Sequence, residues 1–411
     1  MRQAATERVA PPMLLDYRGD RLYFGLDQRV CLAEFVEFLE EPLYLYDLRH
    51  FARRYERFQA AFADLPHMIH YAVKANAHPA FLRRVAELGG GADVVSGGEL
   101  QRALDCGVPP ERVIFSGVGK SQAELRLAIA SGIKQINVES VGELRRIIAV
   151  AESLNKQARV AFRFNPSVDA ETHPYIATGF RSHKFGIDAE AVMACLSLAL
   201  AAPRWVRVAG VSLHIGSQIL DVGNFAEALR NTRPLVAAMR ARGFHPATFD
   251  VGGGFGIHYD TGDETREQDN FARYAEVIRQ GAQGLADEIL FEPGRFLVAR
   301  CGILLGRVEY VKATPYKTFV IVNTGMHHLI RPALYQARHR ILPVVRRGER
   351  TVTADVVGPL CESSDFLAQG IELPELREGD WLAIADAGAY ARSMASEYNL
   401  HPFPDERFIV E

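Results

Sequence analysis

Between about residues 70 and 295 the chain repeats one theme eight times: a short apolar, β-rich run ending in Gly, Ser, Asn or a charged residue, then a helix-like stretch. The runs are His70–Lys74, Ala92–Ser96, Val113–Ser116, Gln135–Glu139, Val160–Phe164, Val208–His214, Thr248–Val251 and Glu288–Glu292. Early runs lie about 22 residues apart and later ones about 40, with helical patterns such as Ala80–Leu88, Gly98–Cys106 and Phe225–Arg242 between them. Eight β-then-α units in series, without a Gly-x-Gly-x-x-Gly after the first run, predict a closed (β/α)8 TIM-type barrel rather than an open sheet.

The flanks have a different character. Gly306–Val311, Thr318–Val322, Thr351–Val357, Trp381–Ala385 and Arg407–Val410 are strand-like runs split by Gly, Pro and Asp. Before the barrel, Met13–Phe24 reads as a hairpin turning at Gly19-Asp20, and Pro42–Tyr46 as a further strand. The expected architecture is therefore α/β plus all-β. Residues 1–47 form an N-terminal segment contributing to a β-domain, 48–298 the barrel, and 299–411 the C-terminal β-domain, the two ends building one β-barrel-like unit.

Composition narrows the function classes. Lys plus Arg is 47 against 50 Asp plus Glu, a net charge of −3 scattered in both signs, which argues against a nucleic-acid or polybasic membrane surface. Charge-free runs stop at thirteen residues, as in Ala191–Pro203, short of the ~18 that a membrane span needs. Met1–Arg8 lacks the apolar stretch of a secretory signal. Cys31, Cys106, Cys195, Cys301 and Cys361 are odd in number and far apart, with no Cys-x-x-Cys, so neither a disulfide framework nor a zinc site is expected. A reducing cytoplasm fits.

In such a barrel the reactive side chains sit at the carboxyl ends of the strands. Those ends supply Lys74, Asp93, Ser96, Arg163, Asn165, His214, Ser217, the run Gly252-Gly253-Gly254-Phe255-Gly256, Glu292 and Arg295. Lys74 could simply cap a strand at the rim; dehydrated at its inner end, its pKa would fall and the amine could attack a carbonyl. The glycines could make only a tight turn, or leave backbone N–H groups open to a phosphate, which barrels often bind after strands seven and eight. Glu292 alone could be an ion-pair partner, and His214 a core histidine or a ring that stacks on a flat cofactor. An amine nucleophile, a phosphate cradle and a carboxylate at one mouth together suggest pyridoxal phosphate, whose ring nitrogen a carboxylate keeps protonated.

Successive segments then carry a resemblance. Tyr71-Ala72-Val73-Lys74-Ala75-Asn76, Ser96-Gly97-Gly98-Glu99-Leu100, His214-Ile215-Gly216-Ser217-Gln218, Gly252–Gly256 and Glu292-Pro293-Gly294-Arg295 fall in the barrel. Ile330-Arg331-Pro332-Ala333-Leu334-Tyr335, Gly358-Pro359-Leu360-Cys361-Glu362-Ser363-Ser364-Asp365 and Asp386-Ala387-Gly388-Ala389-Tyr390 follow it. In this order, from about residue 40 to 400, they resemble the fold-type III pyridoxal-phosphate-dependent decarboxylases, and among them the diaminopimelate decarboxylase family. The resemblance implies that Lys74 holds the cofactor as a Schiff base, His214 stacks on its ring and Glu292 pairs with its nitrogen. It further implies cofactor contacts from Asp93, Arg163, Ser217, Gly253, Gly254, Gly256, Gly294, Arg295 and Tyr390. Arg295, Arg331, Tyr335 and Tyr390 would bind the substrate, chiefly its distal carboxylate, with Glu362 on its distal amine and Cys361 supplying a proton. The Cys-Glu-Ser segment would come from a partner subunit, so a homodimer with shared sites is implied.

The implied reaction is decarboxylation of meso-2,6-diaminopimelate to L-lysine and CO2, the last step of lysine biosynthesis. A decarboxylase of a related diamino or amino-dicarboxylic acid such as carboxynorspermidine would keep Lys74 and Glu292 but change the distal contacts. A non-catalytic cofactor-binding homologue would usually lack the Schiff-base lysine or the proton donor, and both are present. The chain departs from the family after Tyr398-Asn399, where Leu400-His401-Pro402-Phe403-Pro404 replaces a more basic run.

Overall fold

The eight repeats close on themselves. The computed structural model describes residues 14–27, 29–168, 184–261 and 264–410. Its strands His67–Ala72, Gly91–Val94, Val113–Phe115, Gln135–Val138, Ala158–Arg163, Val206–Ser212, Thr248–Asp250 and Glu288–Phe291 each pair in parallel with the next. The eighth returns to the first with Ile289 opposite His67 and Phe291 opposite Ile69. Covered by helices outside and side chains within, these strands are buried almost throughout, which explains their continuous apolar runs. One strand shifts register between Val208 and Gly210. A Cβ at Gly210 would fall 1.7 Å from the Thr248 carbonyl oxygen, so only glycine permits that approach.

A helix precedes the first barrel strand. Leu48–Ala61 starts at Asp47, whose side chain accepts from the N–H groups of Arg49 and His50 at 2.9 and 3.3 Å. Phe51, Tyr55 and Phe58 recur at helical spacing and are buried, with Phe58 against Phe271, Phe291 and Phe296. Truncating such a core ring costs about 3–5 kcal/mol.

The second domain is mostly sheet and nearly closed. Its strand order is Ile341–Pro343, Trp381–Ile384, Gly302–Ala313, Thr318–Val322, Thr351–Val357 and Phe366–Pro374. Leu43–Asp47 lies antiparallel to Gly302–Ala313 and parallel to Asp405–Ile409, so a strand from before the barrel sits between two from after it. The hairpin Leu15–Arg18/Arg21–Phe24 turns at Gly19-Asp20, and Leu22 N–H donates to the Val344 carbonyl at 2.9 Å. Met13 lies outside the described residues. Buried ion pairs lock the domains together: Arg300 donates to Glu267 at 2.8 Å on a barrel helix and approaches Asp386 at 3.4 Å in the sheet domain, while Arg54 shares Glu267. The 386–390 segment is thereby fixed against the barrel mouth, where Tyr390 N–H donates to the Ala75 carbonyl at 2.8 Å.

Candidate active site

The first barrel strand stops at Ala72, and a single 3-10 turn, Val73–Ala75, lifts Lys74 off its end. Lys74 Nζ donates to Asp93 Oδ2 at 2.6 Å, from the neighbouring strand. Asp93 is fully buried, and its other oxygen has no hydrogen-bond partner. The sequence-based expectation of a depressed lysine pKa is corrected here. Burial does pull it down, but the Asp93 and Glu292 carboxylates outweigh that pull and raise it. The resting side chain is an ammonium, 31 % exposed toward the mouth.

Glu292, just past the eighth strand and 5 % exposed, forms the floor. Its Oε1 accepts from Ser116 Oγ at 3.1 Å and from Asn137 Nδ2 at 3.3 Å. The same Asn137 nitrogen donates to Asp250 Oδ2 at 3.1 Å, and Asp250 Oδ1 accepts from the Gly252 N–H at 2.9 Å. Burial, then the neighbouring Asp250 and Asp93, holds Glu292 well above the usual carboxylate range. Burial likewise pushes Asp250 up to about 6, against the hydrogen bonds from Gly252, Glu292 and Asn137. Among the described residues neither acid makes a salt bridge.

His214 follows the sixth strand. Its Nδ1 accepts from the Gly253 N–H at 3.3 Å, which places the hydrogen of the neutral ring on Nε2. Burial, then Arg163 and Lys74, drives its pKa far below the usual value, so the ring is uncharged at neutral pH. The glycine run is packed on its back. Added Cβ atoms would fall 2.2 Å from the Glu292 carbonyl oxygen at Gly253 and 2.3 Å from that of Gly216 at Gly254, whose φ is +95°. Gly256 is similarly tight against Gln218, and Gly294 against Ala72 and Ala75.

Two buried arginines form the opposite wall. Arg295, 7 % exposed, donates to Tyr259 Oη at 2.7 Å and Ser217 Oγ at 3.0 Å and lies over the Tyr390 ring. Arg331, 3 % exposed, lies 4.1 Å over the Tyr259 ring and donates to His339 Nε2 at 2.6 Å, while His339 Nδ1 donates to the Ala385 carbonyl at 2.8 Å. Burial lowers Arg331 to about 10, and burial followed by Arg331 lowers His339 to about 3. Neither arginine is paired with an acid among the described residues. Buried guanidinium groups without a protein carboxylate are rare, and the chemistry of such a pair suits an external anion.

Other expected residues stand elsewhere. Arg163 is committed to Glu139, whose second oxygen accepts from the Gly186 N–H at 2.7 Å, so it stands near His214 with its charge already paired. Ser96 caps the helix Gly97–Asp105, its Oγ accepting from the Glu99 N–H at 3.1 Å. Tyr335 ends the short helix Arg331–Tyr335. Cys361 and Glu362 are exposed on a loop that Asp365 folds by accepting from the Met326 and Leu360 N–H groups, each at 2.7 Å. Glu362 accepts from Tyr398 Oη at 2.7 Å, and no hydrogen bond among the described residues joins it or Cys361 to the mouth of the same chain.

Ser116, Asn137, Asp250, Tyr259 and His339 were not anticipated. A signal existed for two of them: Gln135/Asn137 and Thr248/Asp250 put polar residues at alternate positions of otherwise apolar strands, marking an inward polar face. The donor set fits pyridoxal phosphate, with an amine, a buried acid for the ring nitrogen, an imidazole and a side-chain-free turn at one mouth.

Known proteins share the sequence pattern and the fold. Residues 48–299 match the family model for the pyridoxal-binding domain of pyridoxal-dependent decarboxylases. The diaminopimelate decarboxylase of Aquifex aeolicus is 41% identical over 389 residues, 94% of this chain and 90% of that one. That of Vibrio cholerae is 42% identical over 91% of this chain and 89% of its own. The crystal structure of the Helicobacter pylori diaminopimelate decarboxylase complexed with L-lysine superposes with a TM-score of 0.86 at 39% identity, covering 92% of this chain and 94% of that one. With likeness of this extent in both sequence and fold, the chain belongs to the pyridoxal-dependent decarboxylases and, within them, to the diaminopimelate decarboxylase family.

Proposed function

We propose that the chain converts meso-2,6-diaminopimelate to L-lysine and CO2, and that the buried pair Arg295 and Arg331 selects this substrate by its distal carboxylate. That pair, lacking acid partners among the described residues, is the observation that carries the reading. A diamino acid without a distal carboxylate would leave both guanidinium groups desolvated and unpaired, which costs several kcal/mol. The lysine-bound structure of the Helicobacter pylori relative is consistent with a lysine-shaped product.

Lys74 would hold the coenzyme, with His214 against its ring, Glu292 at its nitrogen, and Gly253, Gly254, Gly256, Ser217 and Tyr390 around its phosphate. Bound pyridoxal phosphate supplies an electron sink for the pair left behind when the carboxylate departs. To act as a nucleophile, Lys74 must first shed a proton from Nζ, and Asp93 Oδ2 at 2.6 Å is the base in contact with it. His214, neutral and steered by the Gly253 N–H, offers a flat face without adding a charge. Tyr259 holds Arg295 by its hydroxyl and Arg331 by its ring, so both forks keep one spacing.

We further propose a homodimer in which Cys361 and Glu362, exposed on the single chain, complete the mouth of a second copy and Cys361 returns the proton to the product. Five free cysteines fit a reducing cytoplasm. No helix among the described residues is long and apolar enough to cross a membrane. The decisive assay measures CO2 release from meso-diaminopimelate beside ornithine, arginine and carboxynorspermidine. Preference for diaminopimelate is expected, and faster turnover of any other would overturn the substrate assignment.

A further inference from the structure

The floor of the mouth contains more acid than one ring nitrogen requires. Asp250 is wholly buried, and the oxygens that it and Glu292 turn toward each other share one donor, Asn137 Nδ2, at 3.1 and 3.3 Å. That amide has two hydrogens for three acceptors, because Ser116 Oγ also lies 3.1 Å away. Ser116 spends its own hydrogen on Glu292 Oε1 at 3.1 Å. The other charged groups facing the pair are Asp93 and Lys74, which neutralise each other at 2.6 Å, and Tyr274, from the outer helix, whose phenol is held neutral. Two adjacent carboxylates with so few donors and no cation of their own cannot both be ionised, so the pair holds a proton.

We propose that Asp250 is a positioning residue that stores this proton, taking it from Glu292 when the coenzyme's ring cation is seated. Glu292 then meets the ring nitrogen as an anion while the buried pair stays singly charged. The hydrogen leaves a Glu292 carboxyl oxygen and bonds to Asp250 Oδ2, which faces it across the Asn137 amide. The ring keeps its own N–H, and nothing is exchanged with solvent. The Gly252 N–H, fixed on Asp250 Oδ1 at 2.9 Å, favours the anion there and leaves the proton to Glu292 beforehand, the direction in which burial and the neighbouring acids also push, and a cation beside Glu292 reverses that preference. The inference rests on placing the ring nitrogen at Glu292.

The test is a proton inventory: calorimetry of pyridoxal phosphate binding to coenzyme-free protein in buffers of different ionisation enthalpy, between about pH 5.5 and 8.5. Phosphate ionisation and the chemistry at Lys74 are common to wild type and variant and cancel in the difference. In Asp250→Asn the proton on Glu292 has no store and must leave. The variant should release up to one more proton than wild type toward acid pH, and its relative coenzyme affinity should change by up to tenfold per pH unit there. Identical inventories across the range would overturn the proposal. Should Asp250→Asn fold poorly, infrared difference spectra of the unsubstituted chain with isotope-labelled aspartate decide. A protonated-carboxyl band from aspartate should emerge on coenzyme addition, and its absence sinks the store. If Glu292→Gln binds coenzyme with unchanged affinity and spectrum, the placement of the ring at Glu292 has failed instead.

Discussion

The floor and the wall of the mouth are opposites. The floor holds two buried acids, Glu292 and Asp250, with no cation in a salt bridge to either, whereas the wall holds two buried cations, Arg295 and Arg331, with no acid among the described residues. Each half is unfavourable alone, because a buried charge without a partner costs several kcal/mol. Together they specify the missing partner: a ligand system with positive character at the floor and negative charge at the wall. Lys74 stands apart, since Asp93 already satisfies it. Under the proposed function its role would be covalent, and that of the two halves recognition.

The largest effect should come from Lys74→Ala, which should abolish CO2 release and the visible absorbance of the bound coenzyme; a persistent band would show that another lysine holds it. Next, Arg331→Met should raise KM for meso-diaminopimelate by about 10²–10³-fold with a smaller change in kcat, since losing one partner of a buried charge pair costs about 2–5 kcal/mol. An unchanged KM in steady-state assays would take the distal carboxylate away from the wall. His339→Ala should have a milder effect of the same kind, about 10-fold to 100-fold, because it removes one hydrogen bond to a charged group worth ~1.5–3 kcal/mol. Sharing of the site predicts that Lys74→Ala and Cys361→Ala, each inactive, regain about a quarter of wild-type activity when mixed, as random pairing of two such chains gives one intact site in half of the dimers. No recovery after demonstrated subunit exchange would argue against a shared mouth.

The smallest effect concerns stability. Asp250 titrates near 6 when folded, above its unfolded value of about 3.9, so its contribution is present below pH ~4 and is lost as pH rises through about 6. Coenzyme-free Asp250→Asn should therefore be more stable than wild type at pH 8, by about 1–2 kcal/mol after its altered hydrogen bonds, and no more stable at pH 4. Denaturant melts at the two pH values measure this, and equal differences at both would show that the acid is not strained.

The barrel was legible in the sequence because parallel strands covered on both faces must be apolar runs at a repeating interval. The strand ends named Lys74, His214, Glu292 and Arg295 for the same reason. What one strand's sequence does not contain is its neighbour. The protonation of Lys74 depends on Asp93, which the register sets beside Ala72. The acid pair depends on Asn137 and Asp250 facing inward from different strands across the barrel. The wall depends on His339, which stands just past the Ile330–Tyr335 segment and folds back onto Arg331. In the sheet domain Phe366–Pro374 escaped notice because Gly370, at φ +59°, interrupts its pattern, and Ile341–Pro343 is too short to stand out. The departure at Leu400 is now visible as a 92 % exposed leucine at φ +61°, next to a histidine packed against His327.

The cylinder closes where its last strand returns to its first. Lys74 trails its opening strand and Glu292 its closing one, and these edges meet through the rungs from His67–Ile289 to Ile69–Phe291 and through the Ala72 N–H, which donates to the Pro293 carbonyl at 3.2 Å. A molecule bonded to the lysine and resting on the glutamate would act as a rivet across that seam, so its uptake should tighten the fold the more, the more tightly it binds. The yellow tint of the loaded protein would then announce that the chain's two halves have met, and a fragment lacking either edge would stay colourless.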